Sequence, residues 1–180
     1  MKLSDQKLKN IVEASLMAAD SPLSVEQLLN LFEEDNRPSR FAIKSSVEQL
    51  QTEYENKGIE IIQVASGFRM QVKAELSAWV SNLWEEKPGK YSRALMETLA
   101  IIIYRQPVTR GEIEDVRGVT VSSAIIKTLI EREWIRVLGH RDVPGKPAMF
   151  GTTRQFLDYF NLKSLDQLPT LAAIKDFDCV

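Results

Sequence analysis

Apolar residues recur every three or four positions in two separate parts of the chain, and this spacing predicts amphipathic helices. In the first part it predicts one helix before residue 20 and a longer one from Ser39 that Gly58 ends. In the second part it predicts a helix from Ser92 to Tyr104 and another from Val121 to Glu133. The residues expected to face the cores are Leu8, Ile11, Val12, Ser15, Leu16 and Ala19; Ile43, Val47 and Leu50; Leu95, Leu99, Ile102 and Ile103; and Val121, Ile125 and Leu129.

After each set of helices the pattern changes to the β-rich, alternating composition that is typical of strands. Ile59–Val64 and Phe68–Val72 predict a hairpin with its turn at Ser66–Gly67. Trp134–Leu138 and Ala148–Gly151 predict a second hairpin, whose connecting loop is rich in glycine and proline. A further helix is expected after each hairpin, at Ala74–Trp84 and at Thr153–Phe160.

The two parts are copies of one plan, because the same helix-start motif occurs in both. Ser24 and Thr109 are the expected N-caps, and Gln27 and Glu112 complete a capping box in each copy. The apolar pairs expected to form hydrophobic staples around these boxes are Leu23 with Leu28 and Val108 with Ile113.

Three helices followed by a hairpin, twice over, predict two tandem winged-helix domains. The fold class is therefore mainly α with small β-hairpins, an α+β arrangement. The expected boundaries are residues 1–86 for an N-terminal domain, 87–165 for a C-terminal domain and 166–180 for a tail.

Composition places the chain among folded cytoplasmic proteins. Its 180 residues are 44% hydrophobic and 27% charged, which is ordinary for a globular protein. The single cysteine, Cys179, excludes an intrachain disulfide, and the longest uncharged apolar run, at 99–104, is too short to cross a bilayer. The N-terminal residues lack the apolar core of a signal peptide, so a cytoplasmic location is expected.

Charge argues against strong binding to nucleic acid. The net charge is -2, and the cationic and anionic residues of each predicted third helix balance, so neither helix favours phosphates. The second hairpin, which is the wing of the second domain, is the best remaining candidate for weak, salt-sensitive DNA contacts, and the alternative is a solvated basic loop. The candidate contacts are Arg136, His140, Arg141 and Lys146.

Catalytic chemistry finds little support in the sequence. His140 is the only histidine, so the usual His/Cys metal cluster cannot be assembled. The sequence around Gly89–Lys90 does not match a phosphate-binding loop, and acidic pairs such as Glu114–Asp115 fit solvated helix faces. We therefore expect neither an enzyme nor a bound cofactor or metal.

Six segments of the second half form a distinctive series of motifs: Tyr104–Thr109, Val116–Val119, Arg141–Pro147, Phe150–Thr153, Phe156–Phe160 and Leu162–Pro169. Their order and spacing, across most of residues 91–170, resemble the segregation and condensation protein B family. The first half resembles this family more loosely, at Glu13–Leu16 and Pro22–Ser24. Lys146 and Phe150 stand where the family pattern favours arginine and tyrosine.

The resemblance implies a function without catalysis. Members of this family are tandem winged-helix subunits that bind the kleisin, segregation and condensation protein A, of the bacterial SMC complex. They homodimerise through the N-terminal domain and bind the kleisin largely with the C-terminal one, while the SMC ATPase joins through the kleisin. A nucleoid-associated location in the cytoplasm and a role in chromosome condensation and segregation follow from the resemblance. The alternative is a winged-helix transcription regulator, which would need basic third helices.

Two surfaces are candidates for these interactions. The helix from Ser92 to Tyr104 is apolar nearly all round, so its outer side is either a groove wall for a partner or a contact with the sister domain or a terminal helix. Packing in the core accounts for at least one of Trp79 and Trp84 in this interpretation. The candidate kleisin contacts are Met96, Ala100, Ile101, Tyr104 and Arg105, and the candidate dimer contacts are Leu83 and Trp84.

Overall fold

The computed structural model describes residues 4–83 and 91–170, which divide into two compact units. The first unit contains residues 4–83 and 161–164, and the second contains residues 91–160 and 165–170. Each unit has three helices followed by an antiparallel hairpin, so the mainly α prediction with small hairpins is confirmed.

In the first unit, a serine caps each of the three helices before the hairpin. The side chain of Ser4 accepts a hydrogen bond from the backbone N–H of Lys7, and that of Ser39 accepts from Ala42. Ser24 and Gln27 form the predicted capping box. The elements are α1 (Asp5–Ala18), α2 (Val25–Leu29), α3 (Arg40–Glu53), β1 (Ile59–Val64), β2 (Gly67–Val72) and α4 (Ser77–Val80), with 3₁₀ turns at Glu34–Asn36, Ala74–Leu76 and Ser81–Leu83.

The core of the first unit lies between α1, α3 and the hairpin. Leu8, Val12 and Leu16 come at four-residue spacing on α1 and are buried, as the pattern predicts. Burying one such side chain contributes roughly 1.5–3 kcal/mol. The other buried members are Leu28, Leu29, Ile43, Val47, Leu50, Ile61 and Phe68.

Two predicted helices of the first unit are wrong in extent. α3 ends at Glu53 with Tyr54 as its C-cap, whereas Gly58 directly precedes β1 and is closely approached by the side chain of Leu76. The helix expected from residue 74 is divided, because the hydroxyls of Ser77 and Ser81 donate to carbonyls three residues earlier, at 2.7 and 3.0 Å. Such bonds favour 3₁₀ turns over a continuous α-helix.

The second unit repeats this plan with a first helix of similar length and a larger sheet. Ser92 caps its first helix through the N–H of Leu95, and Thr109 and Glu112 form the second capping box, so both predicted starts are confirmed. The elements are α5 (Arg93–Arg105), β3 (Val108–Thr109), α6 (Arg110–Arg117), α7 (Ser123–Glu131), β4 (Ile135–His140), β5 (Ala148–Thr152) and α8 (Arg154–Tyr159), with a 3₁₀ turn at Leu165–Gln167.

The sheet of the second unit has the order β3-β5-β4, and both pairings are antiparallel. The sequence does not predict β3: Val108 was expected only in a staple, and it pairs with Phe150. In the first unit the corresponding residue, Leu23, forms an isolated bridge to Phe68. The residue before each N-cap thus holds the helix start against the returning strand of its hairpin.

Of the three core residues predicted at α7, Val121 and Leu129 are buried and only Ile125 is wrong. The helix begins only at Ser123, and Val121 lies before it, where its N–H donates to the carboxylate of Glu114 at 2.8 Å. Val121 is still buried, but Ile126 takes the inward position that was expected for Ile125, which is only half-buried. Ser122 caps this helix, because its hydroxyl accepts from the N–H of Ala124 at 3.2 Å, so Val121 stays outside the helix.

Candidate functional site

The outer face of α5 is the most apolar helix surface that the sequence predicted. Leu95, Leu99 and Ile102 are buried on the opposite face. Met96 is 37% exposed and Ala100 is exposed, and a turn of the helix separates Ala100 from Tyr104, which is half-buried. The candidate surface is therefore a stripe along α5, which we call the α5 stripe and define as Met96, Ala100, Ile101 and Tyr104.

A terminal segment of the described chain touches one end of the α5 stripe. The hydroxyl of Tyr104 donates to the carbonyl of Pro169 at 2.7 Å. The contact is one hydrogen bond to a backbone carbonyl outside any helix, so the choice between a partner surface and packing of a terminal helix stays a prediction. The contact involves the tip of Tyr104 and leaves Ala100 exposed.

Charged groups accompany the stripe on the same helix. Glu97 accepts from Nε of Arg93 at 2.8 Å and from Nη2 of Arg117 at 3.1 Å. These two hydrogen bonds hold the pKa of the Glu97 carboxyl below its usual range. The sequence does not predict this cluster, because Arg117 belongs to α6, 20 positions from Glu97, and the pattern of α5 alone gives no sign of it.

The second hairpin carries the candidate DNA contacts. Arg136, His140 and Lys146 are exposed. Arg136 lies on β4, as predicted, and β4 extends to His140, which was expected in the loop. Arg141 differs from them, because its guanidinium forms an ion pair with the carboxylate of Glu112. Neutralisation by Glu112 makes Arg141 the weakest phosphate ligand of the four. DNA contact through this hairpin stays a prediction.

The ion pair with Arg141 joins the hairpin loop to the capping box of α6, and it predicts an acid-sensitive second unit. Hydrogen bonds from the backbone and side chain of Thr109, together with Arg141, lower the pKa of Glu112 to about 2. A carboxyl whose folded-state pKa is lowered stabilises the fold above its unfolded pKa and loses that contribution as the pH falls towards the folded value. The loss is therefore expected between about pH 4.5 and pH 2.

Glu112→Gln tests this prediction, because glutamine completes the same capping box in the first unit at Gln27 but does not titrate. Thermal unfolding of the second unit, followed from pH 5 to pH 2.5, should show a smaller loss of stability in the variant than in the wild type. Equal pH dependence in the two proteins would contradict a stabilising role for the ionised carboxyl.

An open groove in the second unit was not predicted from the sequence. It has a volume of about 980 Å³ and is bounded by the end of α7, by β4 and by the start of α8. Val137 and Leu138 are each 46% exposed there, and Arg136 and Arg154 add positive charge. The hydrophobic pattern of the sequence could not predict this groove. Adjacent apolar residues on a strand, such as Val137 and Leu138, are also the pattern of a strand that is buried on both faces.

The candidate dimer surface is only partly described. Leu83 is 77% exposed, and Trp84 lies outside the described residues. Trp79, one turn before Leu83, is 70% exposed, so core packing does not account for this tryptophan. Two large apolar side chains of the first unit therefore lie next to each other on the surface of α4 and the following 3₁₀ turn.

Neither a metal site nor a membrane span is found in residues 4–83 and 91–170. Within those ranges, no group of three or more His, Cys, Asp or Glu side chains could hold a metal ion. None of the described helices is both long enough and apolar enough to cross a bilayer.

Comparison with known proteins decides between the family and its alternatives. The family model described as segregation and condensation complex subunit ScpB matches residues 10–171. The chain is 54% identical over 176 residues to a segregation and condensation protein B homolog from Coxiella burnetii, covering 98% of this chain and 84% of that protein. The chain belongs to the ScpB family. It is therefore an accessory subunit of a segregation and condensation complex, and the ScpB family is not an enzyme family.

Two crystal structures of ScpB proteins are also similar to the chain. ScpB from Mycobacterium tuberculosis is 30% identical, with a TM-score of 0.42 and coverage of 90% of this chain and 99% of that one. A dimer of an ScpB N-terminal domain complexed with ScpA peptide is 28% identical, with a TM-score of 0.38 and coverage of 44% and 94%. Both TM-scores are below 0.5, so neither likeness supports a conclusion about this chain.

The third helices agree with a ScpB subunit better than with a DNA-reading regulator. On α3, Arg40 forms an ion pair with Glu26 of α2. On α7, Lys127 lies 3.6 Å from the carboxylate of Glu131. These cations lie on the helix that would face DNA. Because each is paired with a carboxylate, they are poor ligands for phosphates.

Proposed function

We propose that the chain is the kleisin-binding subunit of its SMC complex, working as a homodimer and catalysing no reaction. The kleisin, segregation and condensation protein A, binds the second unit and connects the dimer to the SMC ATPase. In this role the subunit acts at the chromosome, where it biases the SMC–kleisin assembly towards particular conformations.

The observation that carries the proposal is the α5 stripe. Met96 and Ala100 expose apolar surface on a helix that already buries its opposite face in the core of the second unit. An exposed apolar stripe on the side of a helix that faces away from the core is typical of a surface that binds an amphipathic helix of another chain. Membership of the ScpB family supports the kleisin as that partner.

A glutamate at the centre of the stripe tests the proposal. In Ala100→Glu the new carboxylate would have to lose its water against Met96 and Tyr104 when the kleisin binds. We expect the affinity for the central fragment of the kleisin to fall at least about thirtyfold, which corresponds to roughly 2 kcal/mol. Isothermal titration calorimetry with the full chain measures this change.

Ala124→Glu is the matched control, because Ala124 is exposed on α7 of the same unit. It introduces the same charge into the first turn of a helix, where a carboxylate is tolerated. If the two variants bind the kleisin equally well, the α5 stripe is not the binding surface. Absence of binding by the wild-type chain would refute the proposed function itself.

The dimer is tested at the exposed apolar pair of the first unit. Leu83→Glu is expected to convert the protein from a dimer to a monomer in size-exclusion chromatography with light scattering, because it places a charge in the proposed dimer contact. Phe41→Glu is the control, since Phe41 is 80% exposed on α3 of the same unit. Loss of the dimer in both variants, or in neither, would argue against a contact at Leu83.

A further inference from the structure

The α5 stripe has a cation at each end. Arg93 begins the helix and its side chain is 93% exposed, while Arg105 ends the helix and is also exposed. Arg105 forms no side-chain ion pair or hydrogen bond with the residues that the structure describes. Twelve helical steps separate the two arginines, which is about 18 Å along the axis and about 3.3 turns, so the two residues are about 120° apart around the helix.

The positive charge at the Arg93 end is held in place from within the unit. Glu97 is shared by two guanidinium groups, so the cluster of Arg93, Glu97 and Arg117 keeps a net charge of about +1. The side chain of Arg117 is only 10% exposed, and its Nε is buried without a hydrogen-bond partner in the described structure. Because Arg117 is fixed on Glu97, Arg93 can turn to a second carboxylate without leaving Glu97 unpaired.

We propose that the kleisin segment bound by the α5 stripe is an amphipathic helix with carboxylates at both ends of its apolar face. One carboxylate pairs with Arg93 and the other with Arg105, while the apolar side chains between them cover Met96, Ala100 and Tyr104. This inference rests on the proposed function and adds the chemistry by which the partner is recognised.

A helix fits this surface better than an extended segment for a reason of hydrogen bonding. The backbone groups of α5 are already used within the helix, so the stripe offers none to a partner strand. An extended peptide pressed on the stripe would therefore bury unpaired N–H and C=O groups, whereas a helix satisfies its own.

Charge reversal at the two ends of the stripe tests the proposal. In the double variant Arg93→Glu/Arg105→Glu, the carboxylates of the kleisin would face like charges. We expect the affinity for its central fragment to fall at least about tenfold, with a weaker dependence on salt than in the wild type. Titration calorimetry at two salt concentrations measures both quantities in the full chain.

Arg136→Glu/Arg154→Glu is the matched control, since it makes the same change in net charge at the groove beside β4. Both arginines are exposed, and neither has an ion pair among the described residues. Little change in the control, together with the loss in the first variant, supports the proposal. An equal loss in both variants would show a general charge effect, and a larger loss in the control would place the kleisin in the groove, so either result overturns it.

A variant that is expected to bind the kleisin more tightly provides a second test, because misfolding would weaken binding and not strengthen it. Glu97→Gln removes the only carboxylate on the exposed side of α5 and releases Arg93, while the glutamine oxygen can still accept from Arg117. We expect kleisin binding to become about threefold tighter. Unchanged or weaker binding overturns the proposed pairing with Arg93.

These outcomes separate the two proposals. If Ala100→Glu abolishes binding but the charge variants bind like the wild type, the kleisin binds the stripe without the flanking carboxylates, and only the inference fails. If the wild-type chain does not bind the kleisin at all, the proposed function fails and the inference with it.

Discussion

Replacing Trp134 by alanine is expected to destabilise the second unit by about 3–5 kcal/mol. Trp134 is 1% exposed, and its ring contacts those of Tyr91, Tyr159 and Phe160 at centroid distances of 5.2, 4.7 and 5.2 Å. The guanidinium of Arg132 lies over the same ring at 5.5 Å. Truncation would leave a cavity between α7, α8 and the start of β4 and remove all of these ring contacts at once.

Thermal unfolding followed by circular dichroism measures this effect, and the midpoint of the second unit should fall by roughly 12 °C or more. Phe41→Ala is the control: Phe41 is 80% exposed and lies outside the proposed dimer contact, so its removal should cost less than about 0.5 kcal/mol. A shift of only a few degrees in the Trp134 variant would mean that the aromatic cluster does not hold the second unit together.

The second large effect is expected at Gly67, where alanine should destabilise the first unit by about 3 kcal/mol or more. Gly67 has φ of +152°, and a Cβ built on it would lie 2.2 Å from the carbonyl oxygen of Leu23 and 2.6 Å from the nitrogen of Ser24. Both are backbone atoms, so no side chain can move aside. Relief would break the paired hydrogen bonds of 2.8 Å between Leu23 and Phe68.

Gly111 supplies the control within the same chain. A Cβ at Gly111 meets nothing within 4 Å, and alanine there should stabilise α6 by up to about 1 kcal/mol. Urea unfolding of the two variants should therefore move the midpoints in opposite directions. Equal behaviour of the variants would contradict the close approach of β2 to the start of α2.

The helix starts and the α5 stripe were accessible from the sequence because their signals are local. A capping box uses residues three apart, so Ser24 with Gln27 and Thr109 with Glu112 could be read directly and both boxes form. The apolar residues on both sides of α5 likewise follow from the order of residues within one helix. The sequence therefore indicates that α5 has a binding surface in addition to its core face.

The charged partners of the candidate residues could not be read in this way. Arg141 meets Glu112 across 29 positions, and Arg117 meets Glu97 across 20. Each contact depends on where the chain returns after a turn. The sequence therefore suggested that Arg141 was an unpaired cation of the second hairpin. The groove beside β4 has the same origin, since its walls come from α7, β4 and α8.

The sequence by itself determined most of the helices and both hairpins, the repetition of the plan, and which helix has apolar residues on its exposed side. Spacing and capping encode these features within a few residues, where the chain has little conformational choice. Tertiary structure alone decided that α7 begins after Val121, that Trp79 is exposed and that Arg141 is neutralised by Glu112. Those outcomes depend on contacts between residues far apart in the chain, and such contacts exist only once the backbone has folded.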